Sequence, residues 1–313
     1  MDVFGEVVRN HRVYFRDAVV HAGHALGLFA ALQEPRDATQ LASQLGLSRP
    51  RLLALLDVLV LDGVLARAGH ERFALLHTPD PPPPMAAQGW GLLAEVLRQD
   101  APLPPPDADA EGRLRYHRHL AQVARGPARE LMAALPHAPG SRLLDLGCGT
   151  GTYATAWLAL DPSLRATLVD DAAILQLARA ELGTLDKRVR WQPGDAAELR
   201  GREDHDVALL CNLLHLHDDS TCQRILARAA RALRPGGTLC VKDLDIAADR
   251  SGPEAALLFS LNMALYTRGG SLRDAATIAK WLEAAGLGPV RRLRLATTPD
   301  SVVLVAGRSD QAA

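Results

Sequence analysis

Five short stretches hold the side chains whose types and spacing could do chemistry. The first is RLLDLGCGTGTY at 142–153, where Asp145 ends an apolar run and Gly147, Gly149 and Gly151 alternate behind it. Such glycines reach positive φ and let the backbone approach a ligand closely, while the helix that follows offers unpaired N–H groups to a polar or anionic moiety. Asp170 lies about 20 residues after the loop, the spacing at which an acid reaches a ribose diol in doubly wound folds. It or Asp171 could equally N-cap the helix expected over 172–182. The third stretch is Pro193-Gly194-Asp195 with Ala196 beyond it, the fourth is Cys211-Asn212-Leu213-Leu214-His215, and the fifth is Lys242-Asp243. An imidazole suits general-base work near neutral pH, and the plain alternative for His215 is a satisfied polar residue at a strand end. With His217 and Asp218 it could also frame a metal, two imidazoles and one carboxylate, although no further distant ligand has suitable spacing. The loop lacks the lysine-serine or lysine-threonine pair of a P-loop, which argues against phosphoryl transfer.

These residues need a scaffold, and the apolar runs supply one. Runs ending at Leu146 and covering 166–169, 189–192, 206–211 and 238–241 read as buried parallel strands, each with a polar residue at its carboxyl end. That edge is where an open α/β sheet binds its ligands. Leu233-Arg234-Pro235-Gly236-Gly237 reads as a helix stop before the fifth run, and 291–296 with 302–306 read as an antiparallel hairpin. The N-terminal part is helical by spacing over 3–32, with short helices over 39–46 and 48–62 and a wing at Phe73-Ala74-Leu75 after the Gly69-His70 turn. This winged-helix pattern raises a DNA-binding regulator as the rival from another class. Residues 52–61 are too apolar to face a major groove, so Arg49 and Arg51 read as a solvated helix start. Proline-rich stretches at 79–84 and 102–106 should be extended; a short helix over 90–98 lies between them, and a connecting helix over 113–135 ends at Pro136. Arg113, Arg115, Arg118, His117 and His119 crowd that helix and read as a solvated basic face.

The chain has 313 residues, 48% of them hydrophobic, and a net charge of -1, which suits a two-domain enzyme and gives no electrostatic reason to expect nucleic acid. Cys148, Cys211, Cys222 and Cys240 show neither metal-ligand nor disulfide spacing and read as reduced packing residues. With no long apolar run and no signal-like start, the expectation is a cytoplasmic protein with no membrane partner.

DLGCGTG, the acid after the second strand, GDA at 194–196, LLHLHDD at 213–219 and LRPGG at 233–237, taken in order, resemble the class I S-adenosylmethionine-dependent O-methyltransferases. Within these the chain is similar to the caffeate and acetylserotonin type and its bacterial natural-product branch, over nearly its whole length. The resemblance implies an α/β fold, a Rossmann-like seven-stranded sheet with an N-terminal, mostly helical winged-helix-like domain. It implies a dimerisation domain over 1–110, a connecting helix over 111–136 and a cofactor domain over 137–313. S-adenosylmethionine would be the methyl donor and S-adenosylhomocysteine the product. Asp145, Gly147, Gly149 and Gly151 would surround the methionine part, Asp170 the ribose and Asp195 and Ala196 the adenine. Cys211 and Asn212 would lie near the sulfonium, with Tyr116 and Leu120 covering the cofactor. His215 would be the general base and Asp243 the acid that orients it, with no metal. Phe259, Asn262, Met263 and Tyr266, on a helix within 253–268, would contact a small, aromatic substrate, phenolic or enolic. A homodimer through the N-terminal domain is the implied partner, and bacterial secondary metabolism the setting.

The plant relatives carry a second acid in a GG-x-E-R-T-like segment. Here Gly269-Gly270-Ser271-Leu272-Arg273-Asp274 puts Leu272 in its place, and Asp274 reads as an N-cap for 275–285. Methylation at carbon, metal-assisted or not, and a relative that keeps the cofactor without using its methyl group remain open alternatives.

Overall fold

A computed structural model describes residues 3–69, 71–104, 110–135, 137–199 and 204–309. His70, Pro105, Pro106 and Pro136, used in the sequence reading, lie outside these. In chain order the elements are α1 (Val3–Ala25), α2 (Leu28–Ala31), β1 (Arg36–Asp37), α3 (Ala38–Leu45), α4 (Arg49–Leu61), β2 (Leu65–Arg67), β3 (Arg72–Leu75), α5 (Leu93–Gln99), α6 (Ala110–Ala134), β4 (Arg142–Leu146), α7 (Thr152–Leu160), β5 (Arg165–Asp170), α8 (Ala172–Leu182) and β6 (Val189–Pro193). There follow β7 (His205–Cys211), α9 (Asp219–Ala232), β8 (Leu233–Leu244), α10 (Glu254–Tyr266), α11 (Ala275–Ala284), β9 (Arg291–Leu293) and β10 (Ser301–Gly307). By packing, the described residues divide into two units, one within 3–104 and 246–272 and one within 110–245 and 273–309.

Helix starts follow the acids that the sequence supplies. Asp37, Asp171, Asp218 and Asp274 each accept a hydrogen bond from a first-turn amide of α3, α8, α9 and α11. The choice between Asp170 and Asp171 is thereby decided in favour of Asp171 as the cap, which leaves the Asp170 carboxylate for another task.

In the first unit, β1, β3 and β2 form a three-stranded antiparallel sheet beside α3 and α4. Leu52, Leu55, Leu56 and Leu59 of α4 are fully buried, as an apolar helix requires. Arg51 corrects the sequence reading, being only 4% exposed instead of solvated. Its Nε donates to Asp100 at 2.7 Å, and its guanidinium reaches the carbonyls of Ala264 and Thr267 at the end of α10. Buried Asp57 is paired with both Arg67 and Arg250. These ion pairs bind the 246–272 segment, distant in sequence, to α4.

The second unit holds a seven-stranded sheet in the order β6-β5-β4-β7-β8-β10-β9. The first five strands pair in parallel, and β10 runs antiparallel to β8 and to β9. Alternate residues fill two cores: Leu144, Leu146, Leu210 and Val241 pack with α9 on one face, Leu143, Leu209 and Cys240 with α6 and α7 on the other. Each buried leucine contributes about 1.5–3 kcal/mol of transfer free energy, so burial on both faces fixes the register of the strand ends. Two strand limits differ from the sequence reading. β8 starts at Leu233, directly after α9, and carries Pro235-Gly236-Gly237 through a register shift against β7. β9 stops at Leu293, because the Glu130 carboxylate of α6 accepts the amides of Ala296 at 2.6 Å and Thr297 at 2.9 Å and draws the chain away.

Candidate active site

The glycine loop leaves β4 and is held down by β5. The Gly147 and Cys148 amides donate to the Val169 carbonyl at 2.9 and 3.2 Å, and the Gly149 amide donates to Asp170 Oδ2 at 2.8 Å. Gly149 has φ +55° with open space where a Cβ would point, which suits close approach by a ligand. Gly151, the N-cap of α7, is required for packing, since a Cβ there would meet Leu182 at 2.9 Å and Leu168 at 3.0 Å.

Gly147, Asp170, Asp195 and Ala196 line one cleft of about 600 Å³, together with Leu213, Leu216 and His217. Asp195 caps a single turn over Ala196–Glu198 by accepting the Ala197 amide at 2.8 Å. Burial raises the Asp170 carboxyl above its ordinary range, against the pull of the Gly149 and Asp171 amides. Asp145 is 1% exposed, and its Oδ2 has no hydrogen-bond partner among the described residues. Burial, joined by the nearby charge of Asp170 and opposed by the Ala154 amide, pushes its carboxyl up to about 7.

At the other end of the strand edge, a single turn over Leu214–Leu216 carries His215. Parallel β7 and β8 bring Cys211 level with Lys242, so Asp243, next to the last residue of β8, lies beside that turn. His215 Nδ1 lies 2.6 Å from Asp243 Oδ1, the His215 amide donates to Oδ2 at 3.1 Å, and the Leu244 amide donates to Oδ1 at 2.8 Å. The acid thus grips both the ring and the backbone of one residue. Burial would raise the Asp243 carboxyl, but the charge of His215 and these hydrogen bonds outweigh it and hold the group below the usual carboxylate range.

Other expected residues are placed less directly. Cys211 is buried, and desolvation pushes its thiol far above the usual range. Asn212 takes the left-handed region at φ 57°, which asparagine tolerates, and accepts from Lys242 Nζ at 3.3 Å. Tyr116 on α6 is half exposed and stands apart from the cleft lining. In α10 Met263 is buried within its own unit, whereas Phe259, Asn262 and Tyr266 are only partly buried. Asp218 is engaged as the α9 cap, accepting the Thr221 amide at 2.7 Å, and no group of three or more metal-ligating side chains gathers among the described residues. Lys242, expected as a polar residue at a strand end, is only 4% exposed. Arg273, next to Leu272, has no role in the sequence reading, and it donates to carbonyls on both sides of His215.

The sequence pattern of the O-methyltransferase domain matches residues 106–288. The chain belongs to the S-adenosylmethionine-dependent O-methyltransferase family. It is 33% identical over 230 residues to the 3-hydroxy-5-methyl-1-naphthoate 3-O-methyltransferase of Streptomyces sahachiroi, covering 71% of this chain and 66% of that enzyme. It is 30% identical over 315 residues to the mitomycin biosynthesis 6-O-methyltransferase of Streptomyces lavendulae, covering 91% and 89%. The matched region spans between 50% and 66% of the length of the naphthoate enzyme and of the bovine and chicken acetylserotonin O-methyltransferases. In fold, it resembles an O-methyltransferase family 2 protein of Planctomyces limnophilus crystallised with apigenin, at 24% identity, a TM-score of 0.79, and coverage of 98% and 96%.

S-adenosylmethionine, the methyl donor of this family, fits the residues present. It carries an ammonium and a sulfonium, and the orphaned Oδ2 of Asp145 is a buried acceptor suited to a cation. Its diol and adenine need an acid and a shallow apolar wall, which Asp170, Asp195 and Ala196 provide along one cleft.

Proposed function

We propose that the protein methylates the hydroxyl of a phenolic or enolic small molecule, with His215 as general base. The observation that carries this reading is the His215–Asp243 pair, buried at the carboxyl edge of the sheet that also bears the cleft. S-adenosylmethionine supplies an electrophilic methyl group on a sulfonium leaving group. Asp243 orients the imidazole by engaging Nδ1, which leaves Nε2 as the nitrogen to accept the proton. His215 would take the hydroxyl proton as the substrate oxygen becomes the nucleophile toward the methyl group that bound S-adenosylmethionine would supply. The proton need move only as charge develops, so an imidazole can serve a phenol of much higher pKa. Asp145, Asp170 and Asp195 hold the donor's ammonium, ribose and adenine, and the Gly149 loop lets it approach the backbone.

The relatives named for a hydroxynaphthoate and for mitomycin biosynthesis support an aromatic acceptor, handled in secondary metabolism. Phe259, Asn262 and Tyr266, partly buried on α10, are the side chains we assign to it. Self-association through the N-terminal unit is part of the proposal and is read by light scattering. Among the described residues, no helix is long and apolar enough to cross a membrane. The deciding experiment is calorimetric titration with S-adenosylmethionine and S-adenosylhomocysteine, then a screen of phenols and enols for products heavier by one methylene. Micromolar binding and an oxygen-linked methyl are expected; absence of binding, or a carbon-linked methyl, overturns the reading.

A further inference from the structure

The base sits on a single 3₁₀ turn, a poor platform for a group that must be placed to within a fraction of an ångström. The turn closes itself with only two weak bonds, Leu216 N to the Leu213 carbonyl and His217 N to the Leu214 carbonyl, both 3.2 Å. Arg273 braces it from outside, at the carbonyls that flank it. Its Nη1 donates to the Leu214 carbonyl at 3.0 Å and its Nη2 to the His217 carbonyl at 2.7 Å, the residues on either side of the His215–Leu216 pair. The same side chain, 8% exposed, bonds Asp219 Oδ1 through Nε at 2.9 Å and Nη2 at 2.7 Å, and its guanidinium lies 5.7 Å from the Trp281 ring. The planar fork is therefore fixed by an acid and an aromatic face before it reaches the turn. Cys222 Sγ adds a contact to the Leu214 carbonyl at 3.1 Å.

We propose that Arg273 is the positioning residue of the base, holding the His215 turn through its backbone so that Nδ1 stays on Asp243. The inference rests on the reading of His215 as general base. Leu272 stands where plant relatives bring an acid, and the arginine next to it secures the main chain of the turn. Displacement of a reacting group by about 1 Å can cost on the order of 10²-fold in rate, so a clamp on the backbone affects chemistry without touching substrate.

The test uses full-length protein saturated with S-adenosylhomocysteine and labelled at histidine, with His215→Gln assigning the resonances. In wild type, the Nδ1 proton shared with Asp243 should give a downfield signal. Arg273→Met should weaken or remove that signal and displace the His215 titration curve, while the affinity for S-adenosylhomocysteine stays within about 3-fold. Asp219→Asn, which leaves the carbonyl bonds in place, should keep the signal. If Arg273→Met fails to fold, Arg273→Lys gives the same test, since one ammonium cannot span both carbonyls in the geometry of the fork. An unchanged signal and titration in the arginine variants, even with a lower melting temperature, overturns the proposal, as does equal loss in Asp219→Asn. Failure of the wild type to bind S-adenosylhomocysteine would instead count against the proposed function, and the histidine signal would still be read on the unliganded protein.

Discussion

Asp145 and Asp243 are the penultimate residues of two strands of the same sheet, are 1% and 3% exposed, and have carboxyls shifted in opposite directions. Asp243 is held below the usual carboxylate range because an imidazole and two amides face it, whereas Asp145 is raised to about 7 with one oxygen unpartnered among the described residues. Burial penalises both charges equally in kind; what differs is whether the fold supplies the partner. Under the proposed function, the acid completed from within belongs to the catalytic pair, and the one left incomplete is the place for the donor's cation. If this contrast is right, the two ends of the edge should fail in different measurements.

The largest expected effect is at the completed end. His215→Ala should lower turnover by about 10²–10⁴-fold and leave the affinity for S-adenosylhomocysteine nearly unchanged. Steady-state kinetics beside calorimetry check both halves. A variant that methylates at the wild-type rate would remove the base from the mechanism, and a large loss of affinity would merge the two regions.

At the incomplete end, Asp145→Asn should weaken S-adenosylmethionine by about 10–100-fold, the range for a lost charged hydrogen bond, with less effect on the rate at saturation. The pH dependence follows in sign. The cation needs the carboxylate, so affinity in the wild type should fall as pH drops below about 7, and the asparagine variant should lack that part of the dependence. Without ligand the linkage reverses. A raised carboxyl favours the folded state when protonated, and that contribution is fully present below the ordinary carboxylate range and lost as pH rises through about 7. Asp145→Asn should therefore melt higher than wild type at pH 8, by on the order of a few kcal/mol in stability, and show no gain near pH 4. A variant that is less stable at pH 8 would mean that Asp145 has a partner within the fold after all.

A smaller effect is expected at Asp243. Its lowered carboxyl contributes stability that is present above the ordinary carboxylate range and lost as pH falls through its folded-state value. Asp243→Asn should flatten that acid limb in thermal melts and reduce turnover, less than His215→Ala does, because the amide can still meet the imidazole.

How much of this was legible follows from the range of the interactions. The glycine loop, the strand ends and the order of their acids are local patterns, and continuous apolar runs buried on both faces leave one register. Sequence alone does not tell Asp170 from Asp171 as the cap; the Ala173 amide on Asp171 and the Gly149 amide on Asp170 separate them. Arg51 was misread because its carbonyl partners, Ala264 and Thr267, lie more than 200 residues away, and a helix start rich in arginine looks solvated without them. Arg273 escaped for the same reason. Its partners in the His215 turn are carbonyls, which carry no residue identity, so no motif displays them. In GGSLRD the family pattern marks Leu272, while the side chain that reaches the His215 turn is its neighbour Arg273.

The finest distinction concerns His217, which lines the cleft with Asp195 and Ala196. Burial lowers the tendency of its ring to protonate, with His215 and Arg273 adding to that effect and Asp195 and Asp218 opposing it. A nucleoside laid in the cleft would cover the ring further, so binding should favour the neutral imidazole and release a proton where the free protein carries one. His217→Phe keeps a flat apolar wall, and S-adenosylhomocysteine affinity at pH 8 should change by no more than about 3-fold. Between pH 5 and 7 the wild type should lose affinity through two groups, Asp145 gaining a proton and His217 having to lose one. The phenylalanine variant should retain only the first, and Asp145→Asn only the second. Calorimetry across that range, repeated in two buffers of different ionisation heat, counts the protons. Identical curves for wild type and His217→Phe would place the whole pH dependence on Asp145 and leave His217 a mere wall of the cleft.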